Sequence, residues 1–230
     1  MSGKAWAAAM RSNSGVLMAL SVVGFLIYSN TFHNSFHFDD WATIVDNKAI
    51  RDLGEIKIIW EAFNTRFIVG LSFALNYAIG KLNVSGYHLF NIVLHILSSF
   101  LVFVLLILIF KTPRMVTSPL APYGRLLGFL SALVFLVHPI QTQAVTYIWQ
   151  RAASLATFFY LTALICFMMA RLKNSYSYYL ASLGITVVDM FTKEIAFTLP
   201  LALIMLDFTF CTNPITTRKK ENGCYSCRFL

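Results

Sequence analysis

Long apolar segments constrain the fold of this chain more than any other feature. The run from Ser12 to Phe36 contains no acidic or basic side chain apart from His33. Such a run predicts a membrane-spanning helix, because about 20 apolar residues cross the hydrocarbon of a bilayer. The chain of 230 residues is 58% hydrophobic and only 12% charged, whereas an ordinary soluble domain has about 25% charged residues. The sequence therefore predicts a polytopic membrane protein.

The distribution of apolar segments predicts an all-α transmembrane helix bundle of about six spans. The predicted spans cover residues 14–32, 87–110, 126–137, 152–170, 176–191 and 195–210. With the N-terminus in the cytoplasm, eleven of the 18 Lys and Arg residues fall on the cytoplasmic side, as the positive-inside rule requires. We expect a transmembrane domain over residues 1–210 and a disordered cytoplasmic tail over residues 211–230.

The first outer loop, residues 33–86, has helical patterning of its own. Apolar residues recur at helical spacing between Ile50 and Phe63 with charged residues between them, which predicts a helix lying in the membrane surface. Residues 67–79 are apolar and uncharged, but about 13 residues fall short of the roughly 17 that a span needs. We expect two short interfacial helices here. A simple linker and a crossing of the membrane by residues 67–79 are the alternatives, and the crossing would violate the charge rule.

An acid pair, Asp39 and Asp40, follows the first span and is the main candidate functional feature. Ionised carboxylates in the bilayer interior cost free energy, so a pair at this depth is a candidate functional site. A structural role as a cap is the alternative. Two other polar segments are predicted to reach the same membrane surface. Residues 140–151 follow Pro139, which breaks the third span, and residues 192–194 join the last two spans. Asp189 and Lys193, four residues apart, could pair along one helix face.

Other polar residues give weaker signals. His88, Asn91 and His95 share one face of the second span, which suits either hydrogen bonding between helices or part of a metal site. No cofactor is required by the sequence, and a divalent metal is the open alternative. The basic residues form no continuous face, which argues against nucleic acid. Three tryptophans are predicted to anchor the membrane interface: Trp41, Trp60 and Trp149.

Several motifs, taken in order, resemble the membrane half of TPR-containing O-mannosyltransferase-like proteins, which belong to the GT-C class of glycosyltransferases. The motifs are Phe38-Asp39-Asp40 with Asn47, LSFALNY at 71–77, GYHLFN at 86–91 with His95, HPIQTQAV at 138–145, and Lys193-Glu194. The resemblance runs from about Phe36 to Asp207. Their combined order is more specific than any one motif.

This resemblance implies a partial GT-C fold that transfers a sugar, such as mannose, from a polyprenyl-phosphate carrier to a hydroxyl of a protein or glycan acceptor. It implies that Asp39 or Asp40 is the catalytic base and that the site lies on the non-cytoplasmic side of the membrane. Membrane lipids are expected to surround the protein. The residues expected around the donor phosphate and substrate are His138, Gln143, Arg151, Lys193 and Glu194, with no metal ligand among them. We expect a bacterial inner membrane with the site facing the periplasm.

Two departures from the family pattern open alternatives. Family members commonly have an acidic residue where this chain has Gln143, and glutamine cannot serve as a base. Members also continue through further spans into TPR helices of about 34 residues, and no such repeat occurs here. We therefore expect a truncated chain, and an inactive fragment acting as a membrane scaffold is one alternative. A transporter-like bundle is another, although transporters show paired broken helices and only one clear break is predicted.

Overall fold

A computed structural model describes residues 12–211, and every regular element within that range is helical. The α-helices are α1 (Asn13–Tyr28), α2 (Ile56–Phe63), α3 (Phe67–Gly80), α4 (Val84–Phe110), α5 (Gly124–Val137), α6 (Thr142–Thr146), α7 (Arg151–Lys173), α8 (Tyr176–Met190) and α9 (Leu199–Leu206). The predicted all-α bundle is confirmed. The predicted tail lies outside the described residues apart from Cys211.

Helices α1 and α5 run in the same direction on one side of the bundle. At their first residues the Arg125 guanidinium donates to Asn13 Oδ1 at 3.0 Å. At their last residues the Tyr28 hydroxyl donates to the Leu136 carbonyl at 3.1 Å. Gly24 lets α1 approach closely, because a Cβ there would lie 2.7 Å from Ile96 Cγ1.

The other long helices alternate with this pair. Helix α4 runs antiparallel to α5, and the Ser99 hydroxyl donates to the Ala132 carbonyl at 2.7 Å. Helices α7 and α8 form an antiparallel hairpin in which the Ser182 hydroxyl donates to the Ala163 carbonyl at 2.9 Å. The helix ends therefore sort onto two faces of the bundle. We name the face with Asp39 and Asp40 the acid-pair end and the other the opposite end.

Helix lengths agree with the prediction of a membrane protein, although residues 56–80, predicted to lie in the outer loop, are among the qualifying segments. Within residues 12–211, five segments are long and apolar enough to cross a membrane, and a sixth qualifies if α5 and α6 are joined across their 50° bend. The bend lies at His138, because Pro139 keeps the residue before it out of the helical conformation. His138 is accordingly extended, with φ −63° and ψ 128°. Helix α8 has only 15 residues and is not among these segments.

Helices α2 and α3 are two separate short helices, as predicted for the outer loop. Residues 56–80 together meet the length and composition of a span, but Asn64 interrupts them with a φ of +45°. The contacts of α3 place it across the acid-pair end. The Ile68 N–H donates to the Phe191 carbonyl at 3.1 Å just after α8 ends, and Asn76 Nδ2 donates to the Gly86 carbonyl at 3.3 Å where α4 begins.

Candidate active site

The two carboxylates of the acid pair have different surroundings. Asp40 is 1% exposed, and its oxygens accept from the backbone N–H groups of His37 at 3.1 Å and Trp149 at 2.8 Å. Burial raises the pKa of the Asp40 carboxyl above its ordinary value, while these two N–H groups oppose the rise. Asp40 therefore joins the first outer loop to the segment before α7.

Asp39 is exposed and is held by Tyr147. The Tyr147 hydroxyl donates to Asp39 Oδ2 at 2.9 Å and accepts from the Asp39 backbone N–H at 3.2 Å. Burial raises the pKa of the Tyr147 phenol, so the hydroxyl keeps the proton that it donates. Phe38 turns the chain into this arrangement with a φ of +47°, a conformation uncommon for a bulky residue. The exposed carboxylate is fixed in position and open to solvent.

Arg151 is fully buried beneath the acid pair and is the largest side chain with less than 2% exposure. Its Nε donates to Asn91 Oδ1 at 2.8 Å, and Nη1 donates to Asn76 Oδ1 at 2.6 Å. Nη2 donates to the Tyr87 carbonyl at 3.1 Å. The plane of the guanidinium also lies over aromatic rings, including Phe90 at 4.3 Å.

The expected role of Arg151 at the donor phosphate stays a prediction, and the contacts of its side chain are with the protein itself. All three guanidinium nitrogens donate to groups inside the protein, and the side chain is fully buried. It joins the first turns of α7 and α4 to α3, which is a structural role. A cation near a membrane surface suits either a structural or a ligand-binding function, so the sequence could not distinguish the two.

Glu194 forms an ion pair with Arg66, a residue that the sequence reasoning missed. Arg66 Nη2 lies 3.2 and 3.3 Å from the two Glu194 carboxylate oxygens. The Arg66 guanidinium also lies 5.8 Å from the centre of the Trp149 ring. Since the Trp149 N–H binds Asp40, one set of contacts links Glu194 to the acid pair. The partners are 128 residues apart, so sequence spacing could not reveal them.

The predicted pairing of Asp189 with Lys193 is wrong. Helix α8 ends at Met190, and Lys193 is extended with φ −157° and ψ 149°. The two residues therefore no longer share a helix face. The Asp189 carboxylate is fully buried, and among the described residues neither of its oxygens has a hydrogen-bond partner.

His138 and Gln143 lie on the broken segment between α5 and α7, and both are exposed. His138 Nδ1 accepts from the Ile140 N–H at 3.2 Å, which leaves Nε2 as the donor of the neutral ring. His138 lines a cleft of about 540 Å³ between α4 and α5. Within residues 12–211 no hydrogen bond or ion pair joins either side chain to Asp39 or Asp40.

The polar face of α4 mainly joins helices. Asn91 binds Val145 and Arg151, and His95 Nε2 lies 3.1 Å from the Leu136 carbonyl. In the described part of the chain no three His, Cys, Asp or Glu side chains are grouped for a metal ion. Trp149 differs from the predicted interface anchor, because its ring stacks on Phe73 within the core at 6.1 Å.

Sequence comparison aligns most of this chain with known proteins. Protein O-mannosyl-transferase Tmtc1 of Drosophila melanogaster is 27% identical over 222 residues, or 90% of the chain. Protein O-mannosyl-transferase TMTC3 of Mus musculus is 29% identical over 169 residues, and TMTC2 of Homo sapiens is 29% identical over 176 residues, each covering 68% of the chain. The chain is homologous to protein O-mannosyl-transferases.

This homology confirms the resemblance inferred from the motifs and, with the apolar helices, indicates an integral multi-pass membrane protein. The chain spans 24%, 17% and 19% of the lengths of these three O-mannosyl-transferases. No protein-family model and no solved structure matches it. These relatives come from animals, so the bacterial inner membrane stays a prediction without support from them.

Proposed function

We propose that this chain is the catalytic membrane portion of a mannosyltransferase. It would take mannose from a polyprenyl-phosphate carrier and transfer it to a hydroxyl of a protein acceptor on the non-cytoplasmic side. The observation that carries the proposal is the exposed Asp39 carboxylate, held by Tyr147 at one end of a bundle of apolar helices. The homology to O-mannosyl-transferases supports the sugar and the reaction class.

Asp39 is the general base in this proposal. One carboxylate oxygen accepts from Tyr147, and the other takes the proton from the acceptor hydroxyl as that oxygen attacks the anomeric carbon. The bond from the anomeric carbon to the phosphate oxygen breaks, and the electron pair leaves with the lipid phosphate. A single displacement inverts the anomeric centre. Asp40 keeps the supporting segment in place and does not touch the acceptor.

The leaving phosphate needs positive charge, because stabilising charge that develops in the transition state lowers the barrier. Of the two cations predicted for this role, Lys193 is retained, since it lies at the acid-pair end without an ion pair within the described residues. His138 and Gln143 remain candidate substrate contacts.

Transfer by the purified chain tests this proposal. The protein is reconstituted in lipid with radiolabelled polyprenyl-phosphate mannose and a peptide rich in Ser and Thr. We expect labelled peptide from the wild type and a loss of about 100-fold or more with Asp39→Asn, because general-base catalysis contributes about 100-fold to 10,000-fold. Glu61→Gln is the matched control, since Glu61 is an exposed acid of the same loop.

Two results separate the candidates. Transfer that survives replacement of both Asp39 and Asp40 by Asn would refute the base assignment. Absence of transfer by a folded wild-type chain would favour the non-catalytic scaffold. The departure at Gln143 motivates that second candidate, because a glutamine cannot carry charge or take a proton.

A further inference from the structure

The ion pair between Arg66 and Glu194 lies at the acid-pair end of the bundle. Arg66 directly precedes α3, and Glu194 follows the extended Lys193. Both side chains are partly exposed, at 34% and 57%. The guanidinium lies 5.8 Å from the centre of the Trp149 ring, and the backbone N–H of Trp149 donates to Asp40. The pair is therefore accessible from outside and connected to the acid pair through one residue.

The geometry of this pair is weak for an arginine and a carboxylate. One nitrogen, Nη2, contacts both Glu194 oxygens at 3.2 and 3.3 Å, while strong charge-assisted bonds are about 2.7–2.9 Å long and often use two nitrogens in parallel. Among the described residues, Arg66 Nε and Nη1 have no hydrogen-bond partner. A phosphate group can use these donors in the fork geometry that arginine favours.

Apolar surroundings indicate a phosphate attached to a lipid. Trp60 packs on Phe67 and Phe191 at 5.3 and 5.6 Å, which places an aromatic cluster beside Arg66. Aromatic residues of this kind sit at the headgroup level of a membrane. Ile195, next to Glu194, is 58% exposed.

A small cleft lies next in sequence to this ion pair, because Ile195, the neighbour of Glu194, lines it. Ile195 and Thr198 line it on one side, and Ala156, Tyr160 and Leu161 of α7 line it on the other. Its volume is about 260 Å³ and its lining is mainly apolar. A chain in this cleft would place its phosphate at the level of Glu194 and Arg66.

We propose that Arg66 binds the phosphate of a polyprenyl monophosphate and that Glu194 opposes this binding by occupying Arg66. This inference rests on the proposed function, because it takes the phosphate to be that of the sugar carrier. Glu194 is then a negative charge that the arriving phosphate displaces. Removing its charge tightens binding, which is the reverse of what a direct substrate ligand would show.

Binding of polyprenyl phosphate without sugar tests the inference. The full chain is placed in nanodiscs of neutral phosphatidylcholine, and binding is followed by native mass spectrometry. We expect Glu194→Gln to lower the dissociation constant about fivefold, and Arg66→Gln to raise it about tenfold. Glu61→Gln is the matched control, because Glu61 forms another exposed pair, with Lys57, in the same loop, and its constant should stay within about twofold.

Each outcome decides between the two proposals. Binding by the wild type that is unchanged or weakened in Glu194→Gln would overturn this inference alone. Absence of binding by all four folded proteins would overturn the proposed function as well. An equal gain in Glu194→Gln with phosphatidic acid or inorganic phosphate would overturn the assignment to a prenyl carrier. Melting temperatures of the variants in detergent establish that each is folded.

Discussion

Asp39 and Asp40 are neighbours with the same functional group, and their surroundings separate them. Asp40 is buried under two backbone N–H groups, and Asp39 is exposed beside Tyr147. From the sequence, the pair could be recognised but its members could not be told apart. What distinguishes them is contact with Tyr147 and Trp149, which lie 108 and 109 residues further along the chain.

The raised pKa of Asp40 gives a pH dependence of stability. A carboxyl whose pKa is raised on folding binds its proton more tightly in the folded state, so this contribution to stability is present at low pH and is lost as pH rises through the raised value. We expect the melting temperature of the wild type, relative to Asp40→Asn, to fall as pH rises above the ordinary value of 3.8. Thermal unfolding in detergent, followed by circular dichroism across pH, measures this. A melting temperature of the wild type that rises relative to Asp40→Asn as pH increases would contradict the argument that burial raises the pKa of Asp40.

Helices α3, α4 and α7 meet at one buried side chain, and this junction belongs to the scale of elements. We expect Arg151→Lys to destabilise the fold by about 3 kcal/mol or more, because an ammonium cannot reach the three separate partners and leaves buried polar groups unpaired. Unfolding in detergent monitors the loss. Lys193→Gln, at a half-buried lysine without an ion pair, should change stability by less than about 0.5 kcal/mol.

Two helical glycines offer a matched comparison of helix packing. A Cβ at Gly24 would lie 2.7 Å from Ile96 Cγ1, whereas a Cβ at Gly184 meets nothing within 4 Å. We expect Gly24→Ala to destabilise by about 1 kcal/mol or more through overpacking. Gly184→Ala should stabilise by up to about 1 kcal/mol through helix propensity. Equal effects at the two sites would show that α1 does not pack closely against α4.

The helices themselves were largely predictable, because hydrophobic length and Pro139 act locally in the sequence. The short pair α2 and α3 followed from periodicity and the limited apolar length. The pairings of charged side chains were not predicted correctly, because they depend on tertiary structure. The pairing of Asp189 with Lys193 assumed a helix that ends three residues before Lys193, and the ion pair of Arg66 with Glu194 joins segments that no spacing rule connects.

At the scale of the whole molecule, the position of α3 decides the sidedness of everything after it. In a chain without its native cysteines, Lys57→Cys and Lys81→Cys flank residues 58–80, and Val116→Cys lies at the opposite end. We expect an impermeant maleimide to label positions 57 and 81 from the same side of sealed vesicles and position 116 from the other. Labelling of 57 and 81 from opposite sides would show that residues 58–80 cross the membrane.

The Arg151 junction also sets an order of assembly. A membrane protein is inserted as it is synthesised, so α3 and the start of α4 leave the ribosome long before residue 151 exists. Until α7 arrives, the amide oxygens of Asn76 and Asn91 lack the guanidinium that later joins them. A chain interrupted before α7 would still hold Asp39 on Tyr147, but it would lack the buried guanidinium that joins α3 and α4 beneath the acid pair.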